Sequence, residues 1–200
     1  MTTLRIPRYF YLWLLKNGPT YSQEDLHLAL LFQKVYFRIP ACDRAVLRKF
    51  VMNVNVLSGT DTNLLGSAGP TEPSHVYNGN IADIARENVY VDVTLYRDEL
   101  RGSDSACLFV IAHEFAHVVL RHHQIGLVIA SFQELHRYKG IKGKDFTQIK
   151  ELGEDEADLQ AWVWGFDKEY RKFHQEFPDV RTPRWFMDIH TEPYSMQQES

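Results

Sequence analysis

His113, Glu114 and His117 stand in the order HExxH, a pattern whose chemistry depends on the chain being helical there. At about 3.6 residues per turn, positions four apart lie one above the other, so both imidazoles can reach a single metal ion. The carboxylate of Glu114 then projects beside that ion, where it can take a proton from a water as the water becomes a nucleophile. The spacing points to Zn2+, with His113 and His117 as ligands and Glu114 as general base. With nine histidines in 200 residues, an HExxH arises by chance in roughly 2 to 3 such chains in a hundred. Context strengthens the reading: residues 106–120 run ACLFVIAHEFAHVVL, an interior helix apolar nearly all round. Two imidazoles and a carboxylate are costly to bury there without partners, and a metal resolves that cost.

A catalytic zinc takes three protein ligands and keeps a fourth position open. Glu154 and Asp158, in the run EDEAD, are again four apart. Glu154 is the expected third ligand, and Asp158, one turn on, can accept a hydrogen bond from the free N–H of a liganding histidine and so fix its tautomer. Taken alone, this run reads as ordinary acidic helix surface; an upstream HExxH reverses the reading. His123 is the rival, six residues after His117. That spacing normally has glycine three residues after the second histidine to turn the helix sharply, and Leu120 stands there instead, with the apolar period continuing through it. His122 and His123 read better as the helix end, facing its last carbonyls. Tyr170, Arg171, His174 and His190 lie downstream as candidate donors to a tetrahedral intermediate, with nothing to choose between them.

The elements that must position these groups follow from periodicity. Acids after Ser22 and apolar Leu26, Leu30, Leu31 and Val35 predict a helix over 22–38. Asp43 is expected to cap a second helix, whose period runs through Val46, Leu47, Phe50, Val51 and Val54. Residues 58–75 are rich in glycine and proline and read as a long loop, a possible lid. Strict alternation over 88–96 predicts a half-buried strand. Ser103 or Asp104 can cap the HExxH helix. A helical stretch over 125–138 and a basic loop at 139–144 follow. Asp145 can cap a last long helix running to about Phe177, with Gly153 its weak point. The first 20 residues form an N-terminal element, and the polar tail from 194 is expected to fray.

With 44% hydrophobic and 24% charged residues, the 200 residues suit one domain with one core. A net charge of −4 gives no footprint for gripping a polyanion, which argues against nucleic acid as a partner. Cys42 and Cys107 are too far apart in sequence to suggest a disulfide framework or a metal knuckle, and fit a reducing compartment. No stretch approaches the roughly 20 apolar residues of a membrane span. A cytoplasmic protein is expected, with its oligomeric state open.

IAHEFAH followed by ExxAD at Glu154–Asp158 resembles the paired motifs of the gluzincin metallopeptidases. The likeness is to HtpX-like and CAAX-prenyl-type proteases and, more loosely, to thermolysin and the soluble ImmA/IrrE-type peptidases. The resemblance covers about ten residues in total, but in the family's order. It implies an α+β fold, mostly helical with a small sheet, in which the HExxH helix packs beside a second helix bearing the glutamate ligand. It also implies an upstream edge strand that holds an extended substrate, a place taken here by 88–96, whose free edge would pair with a peptide. The expected activity is that of a zinc endopeptidase acting on a protein or peptide. Two alternatives stand beside it: a non-catalytic zinc-binding interaction or sensor module, and a proteolytic toxin or phage-defence factor.

Overall fold

Val91, Val93 and Leu95 alternate with Asp92, Thr94 and Tyr96, and the alternation becomes a strand with the first set buried and the second half-buried. In the computed structural model, which describes residues 3–6, 23–57, 64–71, 89–96, 100, 103–127, 129, 147–183 and 185–186, it is one of four strands: β1 (Thr3–Ile6), β2 (Val51–Leu57), β3 (Gly66–Pro70) and β4 (Val91–Tyr96). Their order is β1-β2-β4-β3. β2 runs parallel to β4, and both outer pairs are antiparallel. β4 is therefore interior, flanked on both sides, and the expectation of a free edge on 88–96 is corrected: the edge is β3, inside the stretch expected to be loop. Asp92 Oδ1 accepts from Asn53 Nδ2 at 2.7 Å and from Thr71 Oγ1 at 2.9 Å, tying β2, β4 and the end of β3 together.

Helix α1 (Gln23–Arg38) buries Leu28, Leu31, Phe32 and Val35 on one stripe and leaves Leu30 half exposed, so its inward face is rotated from the expected one. Helix α2 (Ala41–Phe50) begins after Pro40 with no side-chain cap. Asp43 instead accepts the indole N–H of Trp164 at 2.9 Å. The chain leaves α2 directly into β2, so Val51 and Val54 belong to a strand and not to the helix. In VMNVNVL, valines at 54 and 56 alternate with asparagines; stiff β-branched side chains and poor helix formers favour the strand once a sheet is there to receive it.

Helix α3 (Asp104–Val119) carries HExxH. Ser103 caps it, its hydroxyl accepting from the Ala106 N–H at 3.2 Å, which satisfies one of the orphan donors of the first turn. Phe115 and Ala116 face the core, as do residues 106–112. α3 is the hub of the molecule, packing against α1, α2, β3 and β4 and against two helices that follow it. Those two were expected as one. α4 (Thr147–Val163) and α5 (Asp167–Glu176) are separate, and the break is at Gly165, not Gly153. Gly165 has φ +87; its N–H bonds to the Trp162 carbonyl at 2.8 Å and the Phe166 N–H to that of Ala161 at 3.2 Å, the paired bonds of a Schellman C-cap. The reversal lays α5 on α3, where Phe109 meets Tyr170 edge-on at 5.2 Å and Phe173 at 4.8 Å. Among the described residues no helix is long and apolar enough to cross a membrane. The expected cap at Asp145, the basic loop at 139–144, most of the N-terminal element and the tail from 194 lie outside the described residues.

A left-handed conformation costs a residue with a Cβ about 1–2 kcal/mol. Gly165→Ala should lose roughly that much unfolding free energy in urea titration, and Gly165→Asn distinctly less; equal stability of all three would rule out the cap as described.

Candidate metal centre

Helical spacing on α3 stacks the rings of His113 and His117 with centroids 4.6 Å apart, and their Nε2 atoms approach to 3.0 Å. α4 crosses beside them and delivers Glu154, whose Oε2 lies 3.1 Å from His113 Nε2 and 3.6 Å from His117 Nε2. These three separations bracket the roughly 3.3 Å edge of a tetrahedron whose arms have zinc–ligand lengths of about 2.0–2.1 Å. The trio is a group that could hold a metal ion, and its two imidazoles and one carboxylate suit zinc chemically.

The other nitrogen of each imidazole is tied behind the cluster. Asp158, one turn beyond Glu154 and 8% exposed, meets His113 Nδ1 at 2.6 Å. His117 Nδ1 meets His122 Nδ1 at 2.8 Å, and His122 Nε2 reaches Glu156 Oε2 at 3.1 Å. Neither His122 nor Glu156 was singled out from the sequence for this place. The local cause is a turn: α3 stops at Val119, Arg121 adopts φ 65, and a new helical segment starts at 122. The helix does turn sharply after the second histidine, without the glycine that usually permits it. Arg121 stacks its guanidinium 4.1 Å over the Phe50 ring, a cation–π contact that helps hold this uncommon backbone.

The turn brings His122 back over α3 and sends His123 into the core, 5% exposed and 6.2 Å from Phe50 between ring centroids. His123 is not in the group that could hold a metal. Tyr170 is fully buried against Phe109 and Phe186, Arg171 is exposed with its guanidinium 5.1 Å over Trp162, and His174 packs on Tyr170. None of these three is among the described residues lining the cleft at the cluster; His190 lies outside the described residues.

That cleft has a volume of about 910 Å³. Gly66, Ser67 and Ala68 of β3 form one wall, Ile149 and Leu152 of α4 the other, and Glu114, His117 and Glu154 the floor. Gly66 marks how closely β3 approaches α3: a Cβ there would fall 2.7 Å from both Glu114 Oε1 and Val110 Cγ1, so only glycine fits. Read as a loop glycine in the sequence, it carried no signal of this contact.

The two carboxylates respond oppositely to their surroundings. Glu114 is pushed up to about 7 by burial, with the nearby Glu154 and Asp158 adding and His113 opposing. For Glu154 burial also disfavours the charge, but hydrogen bonds with His113 and His117 outweigh it and hold the carboxyl far below its usual range. Burial pushes both ligand-position imidazoles down; bonds with Asp158 and Glu154 more than reverse this for His113, whereas His117 stays below its usual value.

Burial, and then the charge of Arg121, push His123 from 6.5 down to about 4. A base whose pKa is depressed in the fold contributes stability that is complete above its unfolded value and is lost as pH falls through the folded one. Between pH 6.5 and 4, unfolding free energies from urea titration should fall less steeply for His123→Phe than for the wild type; parallel curves would refute a neutral buried His123.

The sequence profile of peptidase family M48 matches residues 73–166, just under half of the 200 residues. The match takes in β4, α3 and α4 and with them His113, Glu114, His117, Glu154 and Asp158. No curated protein and no solved structure matches the chain. Over that stretch the chain is similar to a family of zinc-dependent metallopeptidases, and the similarity, together with the His-His-Glu group, supports a zinc metallopeptidase.

Proposed function

We propose that the chain is a gluzincin-type zinc endopeptidase in which His113, His117 and Glu154 hold the metal and Glu114 is the general base. The observation that carries the proposal is the convergence of two Nε2 atoms and one carboxylate oxygen within tetrahedral reach, with a buried carboxylate beside them in the same cleft. Zinc bound there would act as a Lewis acid on a peptide carbonyl and lower the pKa of a water.

The chain's own groups do the rest. Glu114 takes the proton of the attacking water on its carboxylate and returns it to the departing amine as the C–N bond breaks. Burial raises the proton affinity of Glu114 above that of an ordinary carboxyl, which favours its holding the proton between the two halves of the exchange. Asp158 holds the His113 hydrogen on Nδ1, which keeps Nε2 free as a ligand. β3 has no strand on its outer side among the described residues, and an extended peptide can pair with that edge above Glu114.

The purified protein should carry one zinc per chain by elemental analysis, and His113→Ala should lose it. Glu114→Gln should keep the metal and lose about 10²–10⁴-fold in peptide hydrolysis. Zinc without any cleavage of a proteome-derived peptide library would favour a binding module, and full activity of Glu114→Gln would refute the mechanism.

Gly66→Ala displaces Glu114 Oε1 from a contact of 2.7 Å, and a misplacement of about 1 Å costs about 10²-fold in rate. Zinc content should be unchanged and kcat/KM should fall by that order; wild-type kinetics would place the base elsewhere.

A further inference from the structure

The two histidines of the cluster are braced in different ways. His113 leans on a carboxylate directly, through Asp158. His117 leans on a second imidazole, which in turn leans on a carboxylate, through His122 and Glu156. Hydrogen bookkeeping along that chain has one solution if Nε2 of His117 faces a metal. Nδ1 of His117 then carries the hydrogen and donates it to Nδ1 of His122, 2.8 Å away. His122 must carry its own hydrogen on Nε2, where Glu156 Oε2 accepts it at 3.1 Å. Every contact has one donor and one acceptor.

Two features of the chain build the arrangement, a turn and a partner, and α4 packs against the ring they place. Arg121 takes the uncommon φ of 65 that turns the chain back over α3. α4 passes close enough that a Cβ at Gly153 would be in van der Waals contact with the His122 ring, 3.6 Å from Nδ1. Glu156 reaches His122 from the same helix that supplies Glu154. An imidazole placed only to end α3 would need neither the turn at Arg121 nor the carboxylate of Glu156.

We infer that His122 and Glu156 form a positioning relay that sets the tautomer and ring orientation of His117 for metal binding. The inference rests on the zinc reading of the cluster above. Neither residue touches the reacting atoms; both act through His117.

The test is made on the apo protein, with zinc affinity measured by competition against a chromophoric chelator and the site's geometry read from the visible absorption of the cobalt form. His122→Leu fills the space without an acceptor and should weaken zinc binding about 10–100-fold, the usual cost of losing such a partner, with an altered cobalt spectrum. His122→Asn places an amide oxygen close to where Nδ1 stood and should restore most of the affinity and the spectrum. Glu156→Ala should shift both readouts in the direction of His122→Leu, by less.

Wild-type affinity and spectrum in His122→Leu would overturn the relay, as would an asparagine variant no better than the leucine one, since packing alone would then explain the loss. If His122→Leu fails to fold, Glu156→Ala decides, and unchanged affinity and spectrum overturn the inference. A wild-type chain that takes up no zinc would instead overturn the metallopeptidase reading.

Discussion

An imidazole pair and a carboxylate sit in a helix that the rest of the molecule uses as its apolar hub, and each must find a partner or forfeit several kcal/mol of solvation. α3 cannot supply those partners itself, because its other faces pack against α1, α2, β3, β4 and α5. For the imidazoles they come from α4, joined for His117 by His122 from the turn after α3, and the match with α4 is one of period. His113 and His117 are one turn apart on α3; Glu154 and Asp158 are one turn apart on α4. Two helices side by side present equal repeats, so a single packing arrangement satisfies several contacts at once. The reversal at Gly165 sends α5 against α3 as well, so that α4 and α5 both pack on the HExxH helix.

The same partnering explains why neighbouring carboxylates shift in opposite directions. Glu154 has two imidazoles at hydrogen-bonding or ion-pairing distance and stays ionised. Glu114 is surrounded by helix, strand and other carboxylates, and its proton affinity rises. Environments that push two acids apart in this way separate a carboxylate that keeps its charge from one that can hold a proton. The distinction arises from which face of which helix each occupies, not from residue type, since both are glutamates.

What was legible in the sequence was what local spacing dictates. HExxH on a helix, the alternation at 91–96, the cap at Ser103, and Asp158 set behind a histidine all follow from periods of two and four, and each is found. What was not legible depends on partners distant in the chain. VMNVNVL satisfies a helical period nearly as well as a strand period, and pairing with β4 and β1 decides for the strand. Gly153 and Gly165 both interrupt a helical pattern, but only the second has the φ that ends it. Arg121 turns the chain where a glycine was the expected signal, because Phe50 from another helix is there to hold it.

β3 is the instructive case. GSAGP reads as loop because glycine and proline are poor strand residues. At an edge, however, proline loses no hydrogen bond it needs to make, and the strand's pairing is supplied by β4 alone. The glycine at its start is the condition for the strand to lie where it does, since any larger residue would meet Glu114 and Val110 at 2.7 Å. A side chain at position 66 would force the start of β3 away from α3, or Glu114 and Val110 out of its way, and open the cover over Glu114. Water would restore the solvation of that carboxylate and remove the burial that raises its pKa. The composition that hides β3 from a sequence reading is therefore the composition that lets it close over Glu114, and the weak strand and the perturbed acid are two consequences of one close approach.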